Sequence, residues 1–291
     1  VSTAAERLSR HQGLIQPLLL DKATVQHLAP VLEDAANTAA RLINDNLLRM
    51  DLLSGRVTAA RLRLALTGLG DLAAGLWDEV GATTKAGIHA AAHLAVDQQL
   101  DIDWLMGMPG GAVLQYAESA HLFATQSARD IISRGINNIP LADHIYKGGK
   151  RTVAKVGRIV ERGLALQSNA REIAKQVRDH FHPKVPGGTN YASMRLARTE
   201  INNAHHTTTI RNMQDRPWIK SVKWNLSESH PKPDACDDYA RRTFQPGNVP
   251  RKPHPQCFCY LTQVVPDTEE FLNNLTSGVY DSWLRSRGVK A

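Results

Sequence analysis

The chain has 291 residues, 42% of them hydrophobic and only 5% aromatic, with a formal net charge of +7. That apolar content suffices for a sizeable core or for two domains. Scarce aromatics, with Ala and Leu abundant in the first half, favour helices over a β-sandwich. No apolar run reaches the roughly 18 residues of a membrane span. The N-terminus has no basic flank leading into an apolar core, so no signal peptide is read there. Three cysteines do not make a secreted disulfide framework, and folding in a reducing cytosol is the expectation.

The net charge is unevenly distributed. Residues 1–145 hold 11 Lys+Arg against 15 Asp+Glu, a net of 11 − 15 = −4, and residues 146–291 hold 24 against 13, a net of 24 − 13 = +11. Most of the excess lies in 146–200, with 12 basic and 4 acidic residues, a net of 12 − 4 = +8. Such a block is either a solubilising face or a surface for a polyanion or acidic partner.

The first half reads as helices. Pro30 suits a first helical turn, and Leu32, Ala35, Ala39, Leu42, Ile43, Leu47 and Met50 follow with helical spacing. "VTAARLRLALTGLGDLAAGLWDEV" is apolar at similar intervals, with glycines placed to break it. "MGMPGG" (106–111) is a break, and "AVLQYAESAHLFATQSARDIISRGI" is a further helix closed by Gly135. His27, His89, His93 and His121 read as surface or packing residues. His89 and His93 are one helical turn apart but have no third ligand at a matching spacing.

A second helical block starts near Lys150. Arg151, Lys155, Arg158 and Arg162 form one stripe at about 100° per residue, with Val153, Val156, Val160 and Leu164 opposite. The next helix opens at Asn169 with Glu172 three residues on, and Arg171, Lys175 and Arg178 continue the basic spacing. Two basic helices can meet phosphates as point charges, whereas the lack of interleaved aromatics argues against base reading. "HPKVPGGTN" is a break. In the helix "YASMRLARTEINNAHHTTTIRNM", Ala197, Ile201, Ala204 and Thr208 point inward. Arg198, Asn202, His205 and Thr209 line the other side, as a polar face bonded to a neighbouring loop.

"WIKSVKWNL" reads as a strand and "CDDYARR" as a turn or short helix. "QPGNVPRKPHP" is an ordered proline-rich loop, and "QCFCYLTQVV" is a strand with Cys257 and Cys259 on one face. "DTEEFLNNL" is a helix capped by Asp267 or Thr268, and "VYDSWLRSRG" is a C-terminal amphipathic piece. Cys236, His254, Cys257 and Cys259 together make a Cys₃His set sufficient for structural zinc, with His230 and Asp234 as substitutes. Two other readings stand beside zinc: cysteines packed as small buried hydrophobes, and a disulfide from Cys236.

An ordered run of motifs then becomes recognisable. Ala197-Arg198-Thr199-Glu200 is followed by Trp224 on a strand, Asp234 with Cys236 in a turn, and His254-Pro255 with Cys257 and Cys259. Over roughly residues 150–265 this resembles the phage Mu F-like head morphogenesis, or minor capsid, proteins. Many members of that family carry Cys-x-x-Cys in the upstream turn, whereas this chain has Cys236 and then Tyr239.

The resemblance implies a mainly α fold. A helical, acidic region (1–145), which the resemblance does not cover and which is available for portal or capsid docking, would precede a basic α+β Mu F-like domain (146–291) with a short antiparallel sheet and C-terminal helices. It implies a non-enzymatic virion component at the portal vertex, assembled in the host cytoplasm. Its partners would be the portal protein, as an oligomer on the portal ring, and the inner capsid or scaffold. Non-specific DNA contact through Arg151, Lys155, Arg158, Arg162, Arg171, Lys175 and Arg178 would serve packaging or ejection, and no membrane is involved. The rival reading is a zinc-dependent nuclease or toxin-like enzyme using His230, Asp237, Asp238, His205 and Glu200, which no spacing forces together.

Overall fold

A computed structural model describes residues 3–47, 59–135, 139–166, 168–182, 185–228, 230 and 233–289. The fold is mostly helical, with one small antiparallel sheet near the C-terminus, as the sequence led us to expect. Helices α1 (Ala4–Leu47) and α2 (Ala59–Leu105) are long; α3 (Gly110–Arg134), α4 (Leu141–Ala165), α5 (Ala170–Phe181) and α6 (Thr189–Asp215) follow. Strand β1 (Ser221–Asn225), helix α7 (Ala235–Ala240), strands β2 (Thr243–Phe244) and β3 (Tyr260–Val264), and helices α8 (Thr268–Thr276) and α9 (Asp281–Ser286) complete the chain. No described helix is long and apolar enough to cross a membrane.

Two breaks expected from the sequence are absent. Helix α1 runs through Pro30, and α2 runs through Gly68, Gly70, Gly75, Gly81 and Gly87. A proline inside a helix costs about 3 kcal/mol. In α1 that loss is set against a buried stripe: Leu28, Leu32, Ala35, Ala39, Ile43 and Leu47. Met50, expected to extend the stripe, lies outside the described residues. The stops at Gly135 (φ 68°) and at residues 106–109 are as expected.

The chain divides into two compact units, each discontinuous in sequence. One comprises Ala23–Lys85 and Asn137–Arg198; the other comprises Val1–Lys22, Ala86–Ile136 and Thr199–Ala291. The division by charge at 145/146 falls inside α4, which begins at Leu141 rather than near Lys150.

In the first unit Val156, Val160, Ile173, Ala174, Val177 and Phe181 join the apolar stripe of α1 and Trp77 of α2. Val153, assigned to the buried side of α4, is 44% exposed. Thr152 takes the inward place, accepting from Trp77 Nε1 at 3.0 Å and bonding the Thr189 hydroxyl at 3.1 Å. Next to it Gly148 lies flat against Trp77, where a Cβ would come within 2.5 Å of the ring. Helix α5 is capped as its sequence indicates, Asn169 Oδ1 accepting from Glu172 N at 2.9 Å.

The second unit holds the sheet, in the order β2-β1-β3 and antiparallel throughout. Val222 and Trp224 of β1 are buried, and Tyr260 to Gln263 of β3 are buried on both faces. The approach of α1 covers the outer face: a Cβ on Gly13 would lie 2.7 Å from the Tyr260 ring. Trp218 anchors the core, with edge contacts to Phe271, Tyr280 and Trp283. A buried ion pair underlies this cluster. Arg216 Nε donates to Asp103 Oδ2 at 2.9 Å, and Tyr116 Oη and Gln99 Nε2 donate to the same carboxylate at 3.1 and 2.9 Å. Burial, and then the Asp103 charge, push the Tyr116 hydroxyl far up from its usual range.

Candidate metal centre

The prolines and polar residues before β3 leave no room for regular structure, so the site is built from turns. Helix α7 opens with a full capping box. Asp234 Oδ1 accepts from Cys236 N at 2.7 Å, and Asp237 Oδ2 accepts from Asp234 N at 2.8 Å. The box turns the Cys236 thiol inward, where it is fully buried. Cys257 and Cys259 were expected on a strand, but they precede β3, in a turn where Gln256 adopts a φ of 57°. Both are buried all the same.

Cys236, His254 and Cys257 converge, with one ligand atom from each lying within 4.8 Å of the others. Cys236 Sγ is 3.5 Å from Cys257 Sγ and 3.8 Å from His254 Nε2. Zinc bonds of about 2.3 Å to sulfur and about 2.0–2.1 Å to nitrogen, at tetrahedral angles, set these edges at about 3.8 and about 3.6 Å. The spacing and the donor types therefore fit a zinc-sized ion. All three cysteines are free thiols in this structure. All three also belong to the apolar core of this unit, so burial and convergence operate together.

Cys259 is not in the converging set, but its thiol is hydrogen-bonded to those of Cys257 and Cys236. A hydrogen bond from Cys257 brings Cys259 down to about 5. The same bond, and then burial, push Cys257 strongly up, while burial raises Cys236 to about 12. Asp234 Oδ2 lies 3.0 Å from His254 Nε2, so Asp234 and Cys259 are the two residues placed to complete the shell.

His230, Asp234 and Asp237 form a second converging group beside the first. His230 Nε2 lies 2.9 Å from Asp237 Oδ2, and that hydrogen bond raises the histidine. The backbone N–H of Cys236 lowers Asp234, and that of Asp234 lowers Asp237. These carboxylates are accounted for by helix capping. Of the other candidates, His205 is buried on Gln98 Oε1 at 2.9 Å, and Glu200, half-buried, is raised to about 7 by burial.

Helix α6 backs the site. Of the polar face expected to bond a neighbouring loop, Asn202 does so and is buried, whereas His205 is buried on Gln98 of α2; Thr199 and His206, beside that face, supply further bonds to the loop. Asn202 Nδ2 donates to the Cys257 carbonyl, Gln256 N donates to Thr199 Oγ1 at 3.2 Å, and His206 Nε2 lies 3.1 Å from the Pro250 carbonyl. His206 also meets the Trp224 ring edge-on at 5.3 Å. Arg198 belongs to the other compact unit. Sequence reasoning passed over Lys252, whose ammonium donates to Asn202 Oδ1 and to the carbonyls of Cys257 and Cys259. A lone lysine in a basic loop carries no local signal of burial.

The basic residues lie in the first unit. Arg151, Lys155, Arg158 and Arg162 are exposed along α4, and Arg171, Lys175 and Arg178 along the adjoining α5. Glu161, Glu172 and Asp179 are exposed on the same two helices. No protein-family model matches the chain, and neither does any curated protein or any solved structure.

Proposed function

We propose that the chain is a phage head morphogenesis protein of the Mu F-like kind, acting at the portal vertex without catalysing a reaction. One observation carries the reading. The motifs that make the resemblance, separated by up to about sixty residues, meet around one loop: Thr199 and Asn202 on α6, Trp224 on β1, Asp234 and Cys236 at α7, and His254 with Cys257.

Within this reading a structural zinc ion is held by Cys236, His254 and Cys257, with Cys259 or Asp234 in the fourth position. When bound, the ion cross-links α7 to the turn before β3. Such a staple suits a segment with little regular structure of its own. The exposed cations of α4 and α5 contact DNA phosphates without reading sequence. The partners are the portal protein and the inner capsid or scaffold, with assembly in the host cytoplasm and residence in the virion.

The test has two arms. Co-sedimentation with portal rings is expected, and its failure removes the docking role. Duplex DNA binding is expected to weaken with salt, with a log–log slope of up to about −6 if all seven cations engage. No binding at low salt, or no loss on neutralising the stripe, removes the DNA role.

The His230–Asp237 pair next to the cysteine set favours a second reading, a metal-dependent nuclease. Metal-dependent DNA cleavage that is lost in His254→Ala would put it first.

A further inference from the structure

Among the described residues, Lys252 is the cation inserted behind the candidate metal centre. Its ammonium donates to Cys257 O at 2.6 Å, Cys259 O at 3.0 Å and Asn202 Oδ1 at 3.1 Å. An ammonium has three protons, and here each has an acceptor. Two of those acceptors are the carbonyls of candidate ligands. The Cys257 carbonyl receives a second bond from Asn202 Nδ2. The same turn contains Gln256 at a φ of 57°, a region that side chains with a Cβ rarely adopt. The turn is therefore fixed from outside itself, by Lys252 and by Thr199 and Asn202 of α6.

Charge balance points the same way. Two thiolates and a divalent ion sum to zero, and a third thiolate makes the centre −1. A buried net charge is costly unless it is compensated. Lys252 brings its ammonium to this turn through hydrogen bonds to the carbonyls of both Cys257 and Cys259.

We propose that Lys252 is a positioning residue of the metal centre. Its ammonium sets the Cys257–Cys259 turn in ligand geometry through both carbonyls and places a compensating cation beside the thiolates. The inference rests on the metal reading above.

The test is zinc affinity of the full chain, measured by chelator competition, together with melting temperature with and without zinc. Lys252→Met is expected to weaken zinc by about 10–100-fold, the usual effect of losing a residue that orients ligands. With cobalt in place of zinc, its thiolate charge-transfer bands are expected to keep their intensity, because no ligand is removed. The rise in melting temperature on adding zinc should shrink. An unchanged affinity overturns the proposal. So does an equal fall in melting temperature with and without zinc, since that describes a lysine that only supports the fold. If Lys252→Met does not fold, Asn202→Ala removes one anchor and leaves the cation. It is expected to weaken zinc about 10-fold, and unchanged affinity there also overturns the proposal. A wild-type chain that binds no zinc instead defeats the metal reading itself.

Discussion

The Asp234 carboxylate lies 3.0 Å from Nε2 of His254. Its other oxygen caps α7 through the Cys236 N–H, so one residue serves both the helix start and the ligand cluster. These roles separate by substitution, because Asn caps a helix as well as Asp does. Asp234→Asn is expected to leave metal-free stability within about 0.5 kcal/mol and to weaken zinc about 10-fold. Cys236→Ser is expected to abolish stoichiometric zinc, read by elemental analysis of the purified chain. Equal zinc content in Cys236→Ser and wild type would refute the assignment.

Stability is expected to fall with acid between about pH 6.5 and pH 3. His205 and His206 are each lowered to about 3 by burial, whereas the unfolded chain protonates histidine near 6.5. The unfolded state therefore binds more protons in that window, and folding is favoured as pH rises. The stability is present above 6.5 and is lost as pH falls toward 3. Each histidine contributes roughly 2 kcal/mol of loss by pH 5. Glu200, raised to about 7, acts in the opposite sense between about 4.5 and 7, but it is one group against two. Urea titrations at pH 7 and pH 5 check the slope. The double variant His205→Gln, His206→Gln should flatten it.

Asp103 is fully buried and holds Arg216, Tyr116 and Gln99 at once. Asp103→Asn takes from Arg216 its nearer and fully buried counter-ion, leaving Asp215 at 3.9 Å. A loss of about 3–5 kcal/mol is expected by chemical denaturation. Tyr116→Phe removes one donor of several and should cost about 1 kcal/mol.

Gly148 of α4 is a contact residue, because its missing Cβ makes room for Trp77. On an exposed helix, Gly→Ala would stabilise by up to about 1 kcal/mol. Here the methyl meets an aromatic ring held by its own hydrogen bond to Thr152, and a loss of about 1–3 kcal/mol is expected. A gain in melting temperature would show that Trp77 moves freely.

Local signals in the sequence were enough for much of the molecule. Periodicity located α3, α5 and the inward stripe of α6, and the capping pattern located the starts of α5 and α8 at Asn169 and Asp267. Alternation placed β1, and the Cys/His spacing picked out three residues that do converge, Cys236, His254 and Cys257. These features depend on neighbours within a few residues, which is the range over which a sequence states its own geometry. Only the tertiary structure decided the rest. Pro30 and the glycines of α2 interrupt nothing, because burial outweighs their local cost. Val153 faces solvent because Thr152 finds partners on α2 and α6. Asp103 is buried and Lys252 half-buried because their charged groups are met by groups distant in the chain: Asn202 is fifty positions from Lys252, and Arg216 is 113 from Asp103. Charge compensation at that range belongs to the fold, and no local pattern encodes it.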